Sequence, residues 1–210
     1  MLEKIGTPGY ENISRPAQDV VNLVKEIKSQ HPPIVAEIGI GVGATTLAIA
    51  EALENSGHLY IFDFEKSVSE IKSDLAARGF ENVTSFGNTT RHWDSYHWNI
   101  AELIKNEDIE FDLIFLDGAH TYLHDALAFF QCDRLLRLGG YIVFDDYGWS
   151  YSTSAHMKNK RLEYMTEEQV DSKQIAFFID TLVRNHVGYE EVWPNRIFRK
   201  IAVTHRSLKD

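Results

Sequence analysis

The sequence predicts an α/β protein: one domain built on a doubly wound, mostly parallel sheet, with helices on both faces and a C-terminal antiparallel hairpin. Three features of the chain predict it. From residue 34 to residue 144, short apolar runs rich in Val, Ile and Phe alternate with helix-length amphipathic stretches, the pattern of successive βαβ units. The runs are bounded by glycine, proline or acidic residues, as buried strands are. Near the end, Pro194-Asn195 separates two alternating stretches, Tyr189 to Trp193 and Ile197 to Val203, which is a turn between antiparallel strands.

Each element follows from its local pattern. Ser14-Arg15-Pro16 starts a helix whose apolar face is Val20, Val21, Leu23, Val24 and Ile27, and His31-Pro32-Pro33 stops it, so residues 1–30 form an N-terminal helical segment. Strands are expected at Ile34 to Ile38, Leu59 to Phe62, Val83 to Phe86, Phe111 to Leu116 and Tyr141 to Phe144. Helices are expected between them at Ala44 to Leu53, Ser67 to Ala77, Trp98 to Lys105 and Tyr122 to Leu136, and a further one at Gln169 to Val187. The period lapses between Asp146 and Glu168. Residues 147–168 are a candidate lid within the single domain 1–210, with an exposed crossover as the plain alternative.

Composition sets bounds on function. With 210 residues, 44% hydrophobic and 25% charged, the chain is an ordinary globular one. Lys plus Arg is 21 against 31 Asp plus Glu, a formal charge of −10. An acidic chain without a basic cluster is poorly suited to a nucleic-acid backbone and better suited to a small ligand. A single cysteine, Cys132, forms no internal disulfide and fits a reducing compartment. No apolar run reaches membrane-span length and Met1-Leu2-Glu3-Lys4 lacks a signal-peptide pattern, so a cytoplasmic protein without membrane contact is expected. Composition leaves room for a homo-oligomer.

The chemistry gathers at strand ends. Glu37-Ile38-Gly39-Ile40-Gly41-Val42-Gly43 joins the first strand to a helix, and Gly39 and Gly41 permit a tight turn with close backbone approach to a ligand. With Ala44 the loop also matches a dinucleotide fingerprint, Asp63 lying near the spacing of a ribose-binding acid. Glu37 favours S-adenosylmethionine instead, because an acid there suits an ammonium and repels a pyrophosphate. Asp117 ends one apolar run and Asp145-Asp146 another. In one parallel sheet these carboxylates meet at the carboxyl edge, where open α/β sheets bind ligands, and mark a metal or catalytic site. The plain alternative is that Asp145 or Asp146 caps the next segment. His120, four residues past the fourth strand, is a candidate general base, a ligand or a loop residue. The aromatic stretch Arg91 to Trp98 either walls a pocket or packs the start of a helix.

These motifs together resemble those of class I S-adenosylmethionine-dependent methyltransferases. Glu37 to Gly43 resembles the first motif of that family, Asp63 stands where its ribose-binding acid stands, and Phe86-Gly87-Asn88 is similar to its third motif, with Asn88 in place of the usual Asp beside adenine. Leu116-Asp117-Gly118-Ala119-His120 and Gly139 to Asp146 resemble the fourth and fifth strands of small O-methyltransferases, most closely the cephalosporin-hydroxylase-like and macrocin-type branch.

The resemblance implies a Rossmann-like domain and methyl transfer to a hydroxyl of a small molecule, a sugar or secondary-metabolite polyol. It implies cofactor binding by Glu37, Gly39, Gly41, Gly43, Asp63, Asn88 and Asp117, and catalysis by His120 and Asp117. It also implies Mg²⁺ held by Asp117, Asp145 and Asp146, and hard oxygen ligands suit that ion. The competing readings are a metal-independent methyltransferase with His120 as base, a nucleotide-dependent oxidoreductase, and a non-catalytic cofactor-binding module. The last has no use for the carboxylate cluster.

Overall fold

The computed structural model describes residues 1–106, 109–153 and 155–204, with only the backbone described at 155 and 156. The strands are β1 (Ile34–Ile38), β2 (His58–Phe64), β3 (Val83–Asn88), β4 (Phe111–Leu116), β5 (Leu136–Phe144), β6 (Tyr189–Trp193) and β7 (Ile197–Lys200). They form one sheet in the order β3-β2-β1-β4-β5-β7-β6. β1 to β5 pair in parallel, and β7 pairs antiparallel with both β5 and β6. The expected sheet and closing hairpin are both present, with β7 rather than β6 next to β5.

Helices α1 (Gln18–Lys28), α2 (Ala44–Leu53) and α3 (Glu65–Ala76) cover one face; α4 (Tyr96–Asn106) and α5 (Tyr122–Leu135) cover the other. Every residue of β4 is buried, as a central parallel strand requires. Its alternation divides the core: Leu113 and Phe115 pack with Val24, Ile49 and Ile71 on the first face, Ile114 and Leu116 with Phe129, Phe144 and Phe178 on the second. Each such buried side chain contributes ~2–3 kcal/mol.

Several expected boundaries shift by a few residues, and two differences are larger. β5 begins at Leu136, directly after α5, with an irregularity in its pairing to β4 between Phe111 and Leu113. Apolar periodicity near a helix end does not reveal that a strand takes over. The expected helix from Gln169 to Val187 is instead α7 (Glu167–Asp171), α8 (Gln174–Phe178) and a widened π turn at Ile179–Val183. Ser172 is extended at the break, and Gln174 closes it by donating to the Gln169 carbonyl at 2.8 Å while its Oε1 accepts the Tyr122 amide at 2.9 Å. An unmet donor at the start of α5 thereby outweighs continuity of the later helix. The stretch after Asp146 holds a 3₁₀ turn (Tyr151–Thr153) and α6 (Ala155–Arg161). Among the described residues no helix is long and apolar enough to cross a membrane.

The strand order reverses between β1 and β4, so the loops that follow these strands diverge and leave a crevice at the carboxyl edge.

Candidate functional site

Backbone hydrogen bonds continue one rung past the strand ends and place the site. Gly39 N donates to Phe62 O at 2.8 Å, Asp117 N to Ile38 O at 2.8 Å, and Asp145 N to Leu116 O at 3.0 Å. The glycine loop, Asp117 and Asp145 therefore lie side by side on three neighbouring strands. Gly39 has φ +87°, and a Cβ there would stand 2.0 Å from the Asp117 carbonyl oxygen, so only glycine lets the two loops touch. Gly41 has φ +52° with nothing within 4 Å of a Cβ position, so its backbone faces open space. Gly43 precedes α2 in the left-handed region.

Glu37 lies beneath this loop at 1% exposure, and its Oε2 has no partner. Burial pushes its carboxyl up to about 8, and the neighbouring Asp63 charge adds to the rise. The Thr46 hydroxyl is near enough to oppose that rise but does not complete a hydrogen bond of normal geometry. A buried acid with an orphaned oxygen is costly alone and suited to a cationic ligand group. Asp63 clamps the loop: its Oδ2 accepts the Ile40 amide at 2.9 Å and its Oδ1 the Phe64 amide at 2.6 Å. Each oxygen keeps a free lone pair. Asn88 is buried at the end of β3 and donates to the Thr89 carbonyl at 3.2 Å.

At the neighbouring edge, ligand atoms of Asp117, His120 and Asp146 lie within 4.8 Å of one another. His120 Nδ1 is 3.5 Å from Asp146 Oδ2 and its Nε2 3.8 Å from Asp117 Oδ1. Both His120 (φ 55°) and Asp146 (φ 58°) occupy the left-handed region. For non-glycine residues such backbone strain concentrates at functional sites. Burial raises the Asp117 carboxyl well above the carboxylate range, and the Asp145, Asp146 and Glu37 charges raise it further. Asp146 is raised by burial and restrained by His120. Burial pushes the His120 imidazole down against the pull of Asp146 and Asp145. Acids held this close, though each is only partly buried, form a donor set that a cation would relieve.

Asp145 departs from the expected triad. It remains close enough to raise Asp117, but its Oδ1 is 2.5 Å from Arg196 Nη1. Arg196 also donates to the Phe144 carbonyl at 2.7 Å and holds Asp19 at 2.6 Å. The group that geometry brings together is thus Asp117, His120 and Asp146, with Asp145 engaged behind it. Sequence reasoning overlooked Arg196. The available signal was the Pro194-Asn195 turn, which sets the next residue beside the end of β5 once β7 is known to pair there.

Other sequence candidates separate in the same way. Tyr96 is buried under Gly118 at the start of α4, whereas Trp93 is 91% exposed, so the aromatic stretch chiefly starts a helix. Thr121 caps α5 by accepting the His124 amide at 3.1 Å, and Asp125 accepts the Thr121 amide at 2.8 Å. Two surface cavities, of about 400 and 650 Å³, lie elsewhere. The first is at the amino edge of the sheet, where Asp112 accepts the Ile34 amide at 2.6 Å and pairs with Arg137 at 2.7 Å and His31 at 2.8 Å. That cluster ties the strand starts together and lies at the opposite end of the strands from the glycine loop.

A family model described as a methyltransferase domain matches residues 36–147, more than half of the chain, from β1 through the residue after Asp146. The chain belongs to this methyltransferase domain family. A protein of Arabidopsis thaliana named as a candidate caffeoyl-CoA O-methyltransferase is 25% identical to the methyltransferase chain over 155 residues. The match covers 70% of this chain and 62% of that protein, so the chain spans less than two thirds of the curated relative's length. An O-methyltransferase from Bacillus cereus, solved with S-adenosylhomocysteine, superposes with a TM-score of 0.65 at 16% identity, covering 96% of this chain and 90% of that one. The O-methyltransferase TomG from Streptomyces achromogenes, solved with S-adenosylmethionine, gives 0.60 at 17% identity, covering 96% and 89%. At these identities the structures establish a shared Rossmann-like fold.

Proposed function

We propose that this methyltransferase chain moves a methyl group from S-adenosylmethionine to a hydroxyl of a small molecule, a sugar unit or a polyol of secondary metabolism, with Mg²⁺ at the acidic edge. The observation that carries the reading is the convergence of Asp117, His120 and Asp146 within 4.8 Å, one backbone rung from the glycine loop. The cofactors bound in the two superposed structures and the name of the plant relative support it. The acceptor is the partner in this reading. Nucleic acid and membrane are not, and a cytoplasmic, self-associating protein is consistent with it.

The residues take complementary roles. Glu37 neutralises the ammonium of the methionine moiety, and the open backbone at Gly41 admits the cofactor. Asp63 receives ribose hydroxyls on its free lone pairs, and Asn88, at the end of β3, offers its amide to adenine. Once bound, S-adenosylmethionine supplies a sulfonium methyl. Asp117 and Asp146, with Asp145 behind them, supply the hard oxygens that suit Mg²⁺, an ion that acidifies and orients a bound hydroxyl. With Nδ1 turned to Asp146, Nε2 of a neutral His120 is the atom left to take the acceptor proton.

Arg196 on Asp145 favours a second reading, transfer without metal and with His120 alone. Chelation separates the two. Under the Mg²⁺ reading a chelator stops turnover and added Mg²⁺ restores it. Full activity of an Asp145→Asn, Asp146→Asn double variant in chelator refutes the metal role and leaves the His120 reading. Calorimetric binding of NAD without binding of S-adenosylhomocysteine sinks both.

A further inference from the structure

The net charge of the chain favours neutral or cationic ligands, but one side chain near the crevice has the opposite preference. Arg161, the last residue of α6, lays its guanidinium over the Tyr151 ring at 4.7 Å. Its Nε is buried without a hydrogen-bond partner, and among the described residues no carboxylate forms an ion pair with it. Arg137, Arg184, Arg196 and Arg199 are each paired with an acid, although Arg137 Nε is likewise buried without a partner. The Nε is closed off from solvent, but the Nη donors make no hydrogen bond to a described residue and stay open to an acceptor from outside the chain. Stacking on a ring occupies the face of the guanidinium and leaves its edge donors free for a planar anion.

The support beneath Arg161 leads back to His120. Tyr151 is buried, and its hydroxyl donates to the Ala119 carbonyl at 2.7 Å, one residue before His120. Trp149 packs edge-on against both Tyr151 (4.6 Å) and His120 (5.6 Å). The series from His120 through Trp149 and Tyr151 to Arg161 therefore forms a continuous wall with a cation at its far end. The other basic residues of α6 are not equivalent: Lys158 reaches Asp171 at 3.3 Å and Lys160 is exposed.

We propose that Arg161 is a specificity residue that binds an anionic group, a carboxylate or a phosphate, on the acceptor whose hydroxyl faces His120. The proposal rests on the methyl-transfer reading, and it narrows the acceptor from any small polyol to an acidic one.

Calorimetry on the protein saturated with S-adenosylhomocysteine tests it without turnover. The probes are two acid–neutral pairs, 3,4-dihydroxybenzoate with 3,4-dihydroxybenzyl alcohol and galacturonate with galactose. The wild-type protein is expected to bind the acid of at least one pair about tenfold more tightly than its neutral partner. Arg161→Gln is expected to erase that preference, and Arg161→Lys to keep part of it. Equal affinities within both pairs, no binding of any of the four, or a preference that survives in Arg161→Gln overturns the proposal. Binding of S-adenosylhomocysteine is measured first in each protein. Its absence from the wild type refutes the methyl-transfer reading itself, a failure distinct from that of Arg161.

Discussion

Glu37 is expected to weaken the fold in order to bind the cofactor, and Glu37→Gln isolates the effect. In the folded chain its carboxyl titrates at about 8, against an ordinary value of 4.5. The folded form therefore holds a proton that the unfolded form releases. Stability from this group is complete below about 4.5, declines as pH rises toward about 8, and is level above that. At pH 7 the unfolded group is ionised by about 2.5 pH units beyond its ordinary value, a penalty of ~3 kcal/mol as an upper bound. Glutamine has nearly the same shape and no charge to desolvate. The variant should be more stable at neutral pH by up to that amount, and its denaturant midpoint should vary less between pH 5 and 8. Cofactor binding should move the other way. An ammonium meeting Glu37 stabilises its ionised form, so binding at pH 7 should release about one proton. Calorimetry in buffers of different ionisation enthalpy reads that proton. In Glu37→Gln the release should vanish, and affinity for S-adenosylhomocysteine should drop about ten- to a hundredfold, the worth of a charged hydrogen bond. A variant with wild-type pH dependence, or one that binds S-adenosylhomocysteine as tightly as wild type, would refute the assignment.

Other expectations can be checked alongside. Gly41→Val puts a branched side chain into the open space above the loop at a positive φ, so S-adenosylhomocysteine binding should be lost in calorimetry while the circular dichroism spectrum stays native. Burial pushes Asp125 up to about 7 from 3.8, so its contribution declines as pH rises through that window. Asp125→Asn keeps an acceptor for the Thr121 amide and should gain up to ~4 kcal/mol at pH 8 in urea denaturation, with no gain at pH 3. If residues 147–168 cover the acceptor, limited proteolysis should cut there in the free protein and slow when cofactor and acceptor are both bound. Equal cutting in both states would leave a plain crossover.

The limits of β1, α2 and β4 were legible residue for residue, because each is a clean apolar run between unambiguous breakers. The position of the glycine loop was legible for the same reason: a glycine string after the first strand of βαβ units has few other places to go. Strand order then carried the three aspartates to one edge without further information. What the sequence could not determine is which partner each carboxylate meets there. Asp145 and Asp146 are neighbours in the chain, yet one turns back to Arg196 and the other forward to His120. That division depends on a hairpin about fifty residues away and on a left-handed backbone at Asp146, neither of which leaves a periodic trace. Arg161 is a similar case. In the sequence it is one of three basic residues in an irregular stretch, and only the packing of Tyr151 beneath it separates it from Lys158 and Lys160. Apolar periodicity is a local property, so it survives in the sequence. The pairing of buried charges is a long-range one, settled when distant elements close the same crevice and each desolvated group takes whichever partner arrives.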